Sequence, residues 1–392
     1  MAYYFLFPEK DATLYSHPDR IKMNTGGDEI LEIVKEKGSS DPRYYPSRVL
    51  AKFKSSEIQS TITDIVGNSD FQSNAKCFLQ LSSTEHKNLT TTLNLEAFAV
   101  SQSWDEGTGR YSNLPTSSNG CSWVYRDNDT TATQWSTSSF SQQSTGSISA
   151  LGITKGGGSW YTGSGFQGSQ QFLKGDNLDV NLEVTTIVKY WSSSLFASNT
   201  YTDSDDPATD ALGIENEGII IKQPDSVEED TSGSFGEMKY FSVDTHTIYP
   251  PRLAFKWDDS IHSSQSLAKT EGELNISFYR NKEEYNQNDE TTFRIHVRDK
   301  YPVRQFTSSS NYLNPGYLTT SSFYSIRDAH TEEEVIPFDT DYTKISADSD
   351  GMYFKIYMKG LQPERYYRVL FKHINNDGTT IYDNNYHFKV IR

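Results

Sequence analysis

The sequence predicts an all-β protein of β-sandwich architecture, and three observations carry that expectation. Leu178, Val180, Leu182 and Val184 alternate with Asp179, Asn181, Glu183 and Thr185, the period-two pattern of a strand with one buried and one wet face. The chain holds 25 Tyr, 21 Phe and 6 Trp but only 5 Met, and it is rich in Ser, Thr, Asn and Gly. Aromatic and β-branched residues suit pleated, half-buried surfaces, and the small polar residues suit the turns between them. Long runs of Ala, Leu, Glu and Lys, which favour helices, are missing. Ile187, Val188 and Trp191 follow the alternating stretch at helical spacing and predict a short helical turn covering the core.

At 392 residues the chain is long enough for two or three domains. Residues 1–260 read as one unit. In it, 47–53 is a strand in which Arg48, Leu50 and Lys52 alternate with Val49, Ala51 and Phe53. Residues 76–81 and 93–101 are further strands, the second central because it is apolar on both faces. Residues 102–171 form a long polar insertion, too aromatic for plain disorder, and predict an ordered loop system. A short buried strand is expected at 218–222, an acidic turn at 224–236, and closing strands at 239–243 and 252–257 behind Pro250 and Pro251. Residues 261–287 read as a connecting segment, and the strand at 273–280 within it has no assignable parent. From 288 to 392, strands at 293–298, 352–358, 366–373 and 386–391 with closely spaced turn signals fit an immunoglobulin-like sandwich.

The formal charge of −16 argues against a nucleic-acid binder, which needs a basic footprint to track phosphates. No apolar stretch approaches the roughly 20 residues of a membrane span. The N-terminus lacks a basic n-region and a small-residue cleavage site, so no signal peptide is expected. Cys77 lies in an apolar, strand-like run, and with Cys121 it is expected to be a free thiol rather than half of a disulfide.

Candidate chemistry is sparse. Asp105 and Glu106 are adjacent carboxylates, and neighbours on an extended segment point to opposite faces, so they do not flank one bond. Capping a turn and accepting backbone amides is the expected role. Asp203, Asp205 and Asp206 form an acidic run that offers calcium, without the glycine and terminal glutamate of an EF-hand loop; such loop tips are usually just solvated. The histidines show no metal-ligand spacing, and no G-x-S-x-G elbow is present. Gly156, Gly157 and Gly158 read as a flexible turn before Trp160. Trp123, Trp135, Trp160, Tyr161 and Phe166 admit three roles: the insertion's own small core first, a protein interface second, and a glycan-stacking platform third. No enzymatic activity and no further cofactor are expected.

Several segments, in order, resemble the DNRLRE-type domain, a carbohydrate-binding-module-like jelly roll. They are Ala12–Tyr15; the S-R-x-L-x-x-F strand at Ser47–Phe53 with Arg48; the motif Ser103-Trp104-Asp105-Glu106-Gly107-Thr108-Gly109; Val184–Val188 with Trp191; Gly218–Lys222; and Pro251-Arg252-Leu253. The match covers roughly two thirds of the chain and departs at Thr185, where an acidic residue is usual. Leu361-Gln-Pro363-Glu-Arg-Tyr-Tyr367 resembles the L-x-P-x-x-x-Y element of fibronectin type III domains, which implies that Tyr367 packs back across a sheet corner. The pairing of such domains, with the segments at 156–172 and 240–253, resembles structural proteins of tailed-bacteriophage virions. That resemblance implies a jelly roll followed by an immunoglobulin-like sandwich, in a non-enzymatic virion part of neck, tail, baseplate or capsid decoration. The expected partners are other virion proteins and copies of the chain itself, and the expected location is the virion, after synthesis in the host cytoplasm. The alternative it implies is an adhesion module that binds host-surface glycans.

Overall fold

The computed structural model describes residues 2–87, 89–112, 115–136, 143–195, 214–233, 236–263, 268–269, 272–302 and 316–392. Strands account for 46% and helices for 11%, and the sheets are largely antiparallel, which makes the fold an all-β sandwich. The chain forms two compact units. One comprises Leu6–Gly67 and Lys76–Ala254; the other comprises Met1–Phe5, Asn68–Ala75 and Phe255–Arg392.

The N-terminal unit is organised by one sheet. Among the described residues its strands run in the order Gln167–Leu173, Thr92–Ala99, Ile219–Lys222, Tyr44–Phe53 and Pro8–Tyr15, with Lys35–Lys37 also on Tyr44–Phe53. Thr92–Ala99 is therefore an interior strand, apolar and buried on both faces over Ala97, Phe98 and Ala99, while Thr92 and Asn94 on its first half stay exposed. Register aligns Ala12 with Leu50, Leu50 with Ile220, and Ile220 with Phe98, giving one apolar row across the sheet. All four side chains are buried. The insertion supplies the layer above that row: Trp104, Cys121, Trp123, Trp135, Ile148, Leu151 and Trp160 pack on it as a single cluster. The opposite face, with Val49, Ala51, Ile219, Ile221, Ala97 and Ala99, is buried as well.

Val180–Glu183 pairs with Lys76–Leu81, and Leu178, Val180, Leu182 and Val184 are all buried, so the alternating stretch forms the expected strand. The helix that follows, Thr185–Leu195, is longer than a single turn and buries Ile187, Val188, Tyr190 and Trp191. The segment 55–66 is helical: α-helix Ser55–Ser60 runs directly into a π-helical stretch, Thr61–Val66. The strand patterning of the neighbouring segments gives no sign of it. Ile58, Ile62 and Val66 recur at i, i+4 and i+8 and fill one buried stripe.

In the C-terminal unit, strands Leu274–Tyr279, Glu290–Asp299, Gly351–Tyr357 and Ser346–Asp348 form one sheet. A second runs Glu284–Asn286, His387–Ile391, Arg365–Asn375, Ser322–Asp328 and Glu334–Ile336, with Gly378–Tyr382 as a hairpin partner of Arg365–Asn375. Phe293, Phe354 and Tyr324 stack in succession in this unit's core, with ring centroids 5.5 and 4.4 Å apart.

Two expectations about organisation change. Residues 261–287 are more than a connection, because Leu274–Tyr279 pairs with Glu290–Asp299 and Glu284–Asn286 with His387–Ile391. The strand without a parent thus belongs to the C-terminal unit. The first residues of the chain do too: Tyr3 donates to Asp339 at 3.1 Å, and the Tyr4 ring meets Tyr357 edge-on at 6.0 Å.

Candidate functional site

The most heavily built polar site lies on the insertion-covered face of the N-terminal sheet. Arg48 stands two residues from Leu50, and Lys222 two from Ile220, so period-two geometry aims both cations at the tryptophan cluster. Glu228, at the end of the short helix Asp225–Glu228, reaches down between them. Its carboxylate takes Arg48 Nε at 3.0 Å and Nη2 at 2.6 Å, a bidentate pair, while Lys222 Nζ stands 3.6 Å from the same Oε2. The third guanidinium donor, Nη1, goes to the Gly157 carbonyl at 2.8 Å. Trp123 and Trp160 bracket the guanidinium at 4.6 and 5.0 Å from their ring centroids. Arg48 and Glu228 are each only 1% exposed. Lys222 also donates to Asp225 at 2.6 Å and to the Gln223 carbonyl at 2.9 Å. Beside this cluster lies a cleft of about 190 Å³ bounded by Ser147, Ile148, Trp160, Asp225 and Glu229. Every donor of Arg48 that is named here already has an acceptor, so the constellation is a structural clamp rather than a reactive one.

The three glycines at 156–158 explain the clamp's shape. All have left-handed backbones, with φ of +95, +73 and +96°. Gly157 N donates to the Trp123 carbonyl at 2.6 Å, closing the chain around the indole. The expected flexible turn is instead a packed wrap, since a Cβ at Gly156 would sit 2.4 Å from the Trp123 carbonyl oxygen.

The aromatic candidates resolve by burial. Trp123, Trp135, Trp160 and Phe166 are between 0 and 3% exposed, inside their own unit. Tyr161 is half-buried against Phe166, at 5.3 Å between centroids. As a glycan-stacking or partner-facing platform this set is therefore corrected. Trp123, Trp135 and Trp160 have no free face to offer, because the sheet's apolar row needed covering and the insertion supplied them for it, which is the role as the insertion's own core. Phe166 is buried beside Tyr161, which alone of the set keeps part of its surface exposed.

The tryptophan motif builds a second polar site. Trp104 is buried, with Nε1 donating to the Glu217 carbonyl at 2.9 Å and Lys10 lying over its ring at 4.3 Å. Gly107, at φ +79°, lets the motif turn beside Asn24, whose Oδ1 would lie 2.4 Å from any Cβ there. Glu106 Oε1 accepts the Asp11 amide at 2.8 Å, and Asp11 Oδ2 accepts the Val243 amide at 2.7 Å. Asp11 is 1% exposed, and its Oδ1 has no hydrogen-bond partner among the described residues. Burial raises the Glu106 carboxyl to about 7, against the Asp11 amide that favours its charged form and with Asp244 adding to the rise. Burial likewise pushes Asp11 well above the usual carboxylate range, with Glu106 and Asp244 adding to it. A pocket of about 640 Å³ opens beside them, lined by Gly27, Glu106, Thr108, Arg110, Asp244 and His246. Sequence reasoning named Glu106 but missed Asp11 and Asp244, which stand 95 or more residues from it and carry no motif.

In the C-terminal unit the Tyr367 hydroxyl donates back to the Gln362 carbonyl at 3.0 Å, next to Pro363. Asp203, Asp205 and Asp206 lie outside the described residues. Among the described residues no group of three or more His, Cys, Asp or Glu side chains is placed to hold a metal ion, and no helix is long and apolar enough to cross a membrane.

Cys77 and Cys121 are both buried free thiols, and burial pushes both thiols far up from their ordinary value. The folded chain is therefore expected to be silent toward Ellman's reagent at pH 8 and to release two equivalents when unfolded in guanidinium. Rapid labelling of the native chain would refute the burial of these side chains.

No family model matches the chain, and no curated protein matches it either.

Proposed function

We propose that the protein is a non-enzymatic structural component of a tailed-phage virion, a jelly-roll sandwich followed by an immunoglobulin-like one, assembling through protein–protein contacts. The observation that carries this reading is the inward burial of the insertion's tryptophans, which removes the aromatic platform on which glycan adhesion rested. The buried Arg48–Glu228 clamp supports it further, since it commits the best-built polar cluster to rigidity. What remains outward on the C-terminal unit is contact chemistry: Tyr279, Tyr301, Tyr366 and Ile381 are between 46 and 75% exposed. Tyrosine suits protein interfaces, with large area and two rotatable bonds. Other virion proteins and further copies of the chain are the partners in this reading.

Two measurements test it. Light scattering on the purified chain, paired with a glycan array, is expected to give a species silent on every glycan. An antiserum raised against the chain is expected to label purified particles at a fixed position. Saturable binding to one glycan class, or absence of the chain from purified particles that contain their full set of other proteins, would overturn it.

A further inference from the structure

We propose that Asp11, Glu106 and Asp244 form a proton-dependent latch that fastens the turn beginning at Val243 to the tryptophan motif. This inference stands apart from the reading as a virion component.

Three separate stretches meet here. Asp11 comes from strand Pro8–Tyr15, Glu106 from the tryptophan motif, and Asp244 from the turn that follows strand Glu237–Phe241. The hydrogen bonds run in series: the Asp11 amide gives to Glu106, and the Val243 amide gives to Asp11. The turn is tied on its other side by Ser242, whose hydroxyl donates to the Asp28 carbonyl at 2.5 Å. At this cluster the buried Asp11 Oδ1 has no hydrogen-bond partner among the described residues. An ionised carboxylate left so in the interior is costly, whereas a protonated one is neutral.

The charges that face the group do not compensate it. Asp105, on the motif itself, adds negative charge to Glu106, and Lys10, on the strand, is the cation acting on it. Lys10 is committed to the Trp104 carbonyl and ring. Asp28, packed beneath the turn, accepts the Tyr111 amide and is itself raised by burial, with Arg110 opposing. Arg110 and His246 line the open side of the pocket.

The sign follows directly. Glu106 is ionised above about 4.5 in the unfolded chain but holds its proton to about 7 when folded, and Asp11 shifts in the same direction. Between those values the folded state binds more protons, so the latch is firm in mild acid and weakens as pH rises through 7. Above that, the Glu106 charge adds to that of Asp244 at the same pocket, beside the buried Asp11, and the turn is released.

The test is hydrogen–deuterium exchange on the full chain, following the peptide that contains Val243 at pH 5.5 and pH 8.0 and correcting for intrinsic exchange. Protection in the wild type is expected to fall by more than tenfold at the higher pH, because a carboxyl raised from 4.5 to about 7 gives up more than one unit of its shift across this window. Glu106→Gln is expected to flatten that dependence, and Asp244→Asn, which leaves the buried pair intact, to reduce it. Protection that is flat or rises with pH in the wild type would overturn the latch. So would a fall that persists unchanged in both variants. Protection restored at pH 8.0 by calcium chloride would also overturn it, and would make the pocket a cation site instead.

Discussion

Arg48→Met is expected to destabilise the N-terminal unit by about 3 kcal/mol, and Glu228→Gln by at least as much, within the range of roughly 3–5 kcal/mol for breaking a buried ion pair. The order follows from the third member. When Arg48 is removed, Lys222 still stands 3.6 Å from Glu228 and offsets part of its charge. When Glu228 is neutralised, Arg48 and Lys222 are left as two buried cations, and Asp225, the nearest anion, has a side chain 84% exposed and screened by water. Either change also disturbs the stack of Arg48 on two indoles, worth about 0.5–2 kcal/mol. The double variant Arg48→Met/Glu228→Leu is expected to cost less than the sum of the singles, because it removes both charges of the pair together and leaves Lys222 as one buried cation instead of two. Urea unfolding read by tryptophan fluorescence measures this. Trp104, Trp123, Trp135, Trp160 and Trp191 lie in the N-terminal unit, so the signal reports chiefly on it. Strict additivity would show that the three charges do not interact.

How much of this was legible in the sequence depends on the range of the interaction. Strand positions such as 178–184 and 93–99 were legible because alternation and two-sided apolarity are local signals. The helical stretch 55–66 was not, because Ser and Thr outnumber its buried positions and neither favours a helix interior. The sequence placed Arg48 in a strand but had no means of naming Glu228, 180 positions away, as its partner. For Trp123 and Trp160 the sequence put a core role first but left interface and glycan roles open. Their burial follows from the in-register apolar row of Ala12, Leu50, Ile220 and Phe98, which only the sheet order creates. The same holds for Met1–Phe5, whose apolar character was visible while its membership of the C-terminal unit was not.

The glycine wrap around Trp123 gives the second large effect, and a neighbouring glycine supplies its control. Gly152 has φ +72° and nothing within 4 Å of an added Cβ, so Gly152→Ala isolates the strain of a left-handed backbone. That strain is about 1–2 kcal/mol for an L-residue. Gly156→Ala carries the same strain at φ +95° and adds a Cβ 2.4 Å from a backbone oxygen and 2.9 Å from Trp123 Cδ1. A carbonyl cannot rotate away as a side-chain tip can, and overpacking adds about 1–3 kcal/mol more. The shift would also move Gly157, whose carbonyl holds Arg48 and whose amide holds Trp123. Gly156→Ala is therefore expected to lower stability by about 3–5 kcal/mol and to weaken the near-ultraviolet dichroism of the buried indoles, with Gly152→Ala leaving that spectrum intact. Equal effects of the two substitutions would mean that the backbone at 156 has room to yield, and the wrap would then be the flexible turn that its composition first implied.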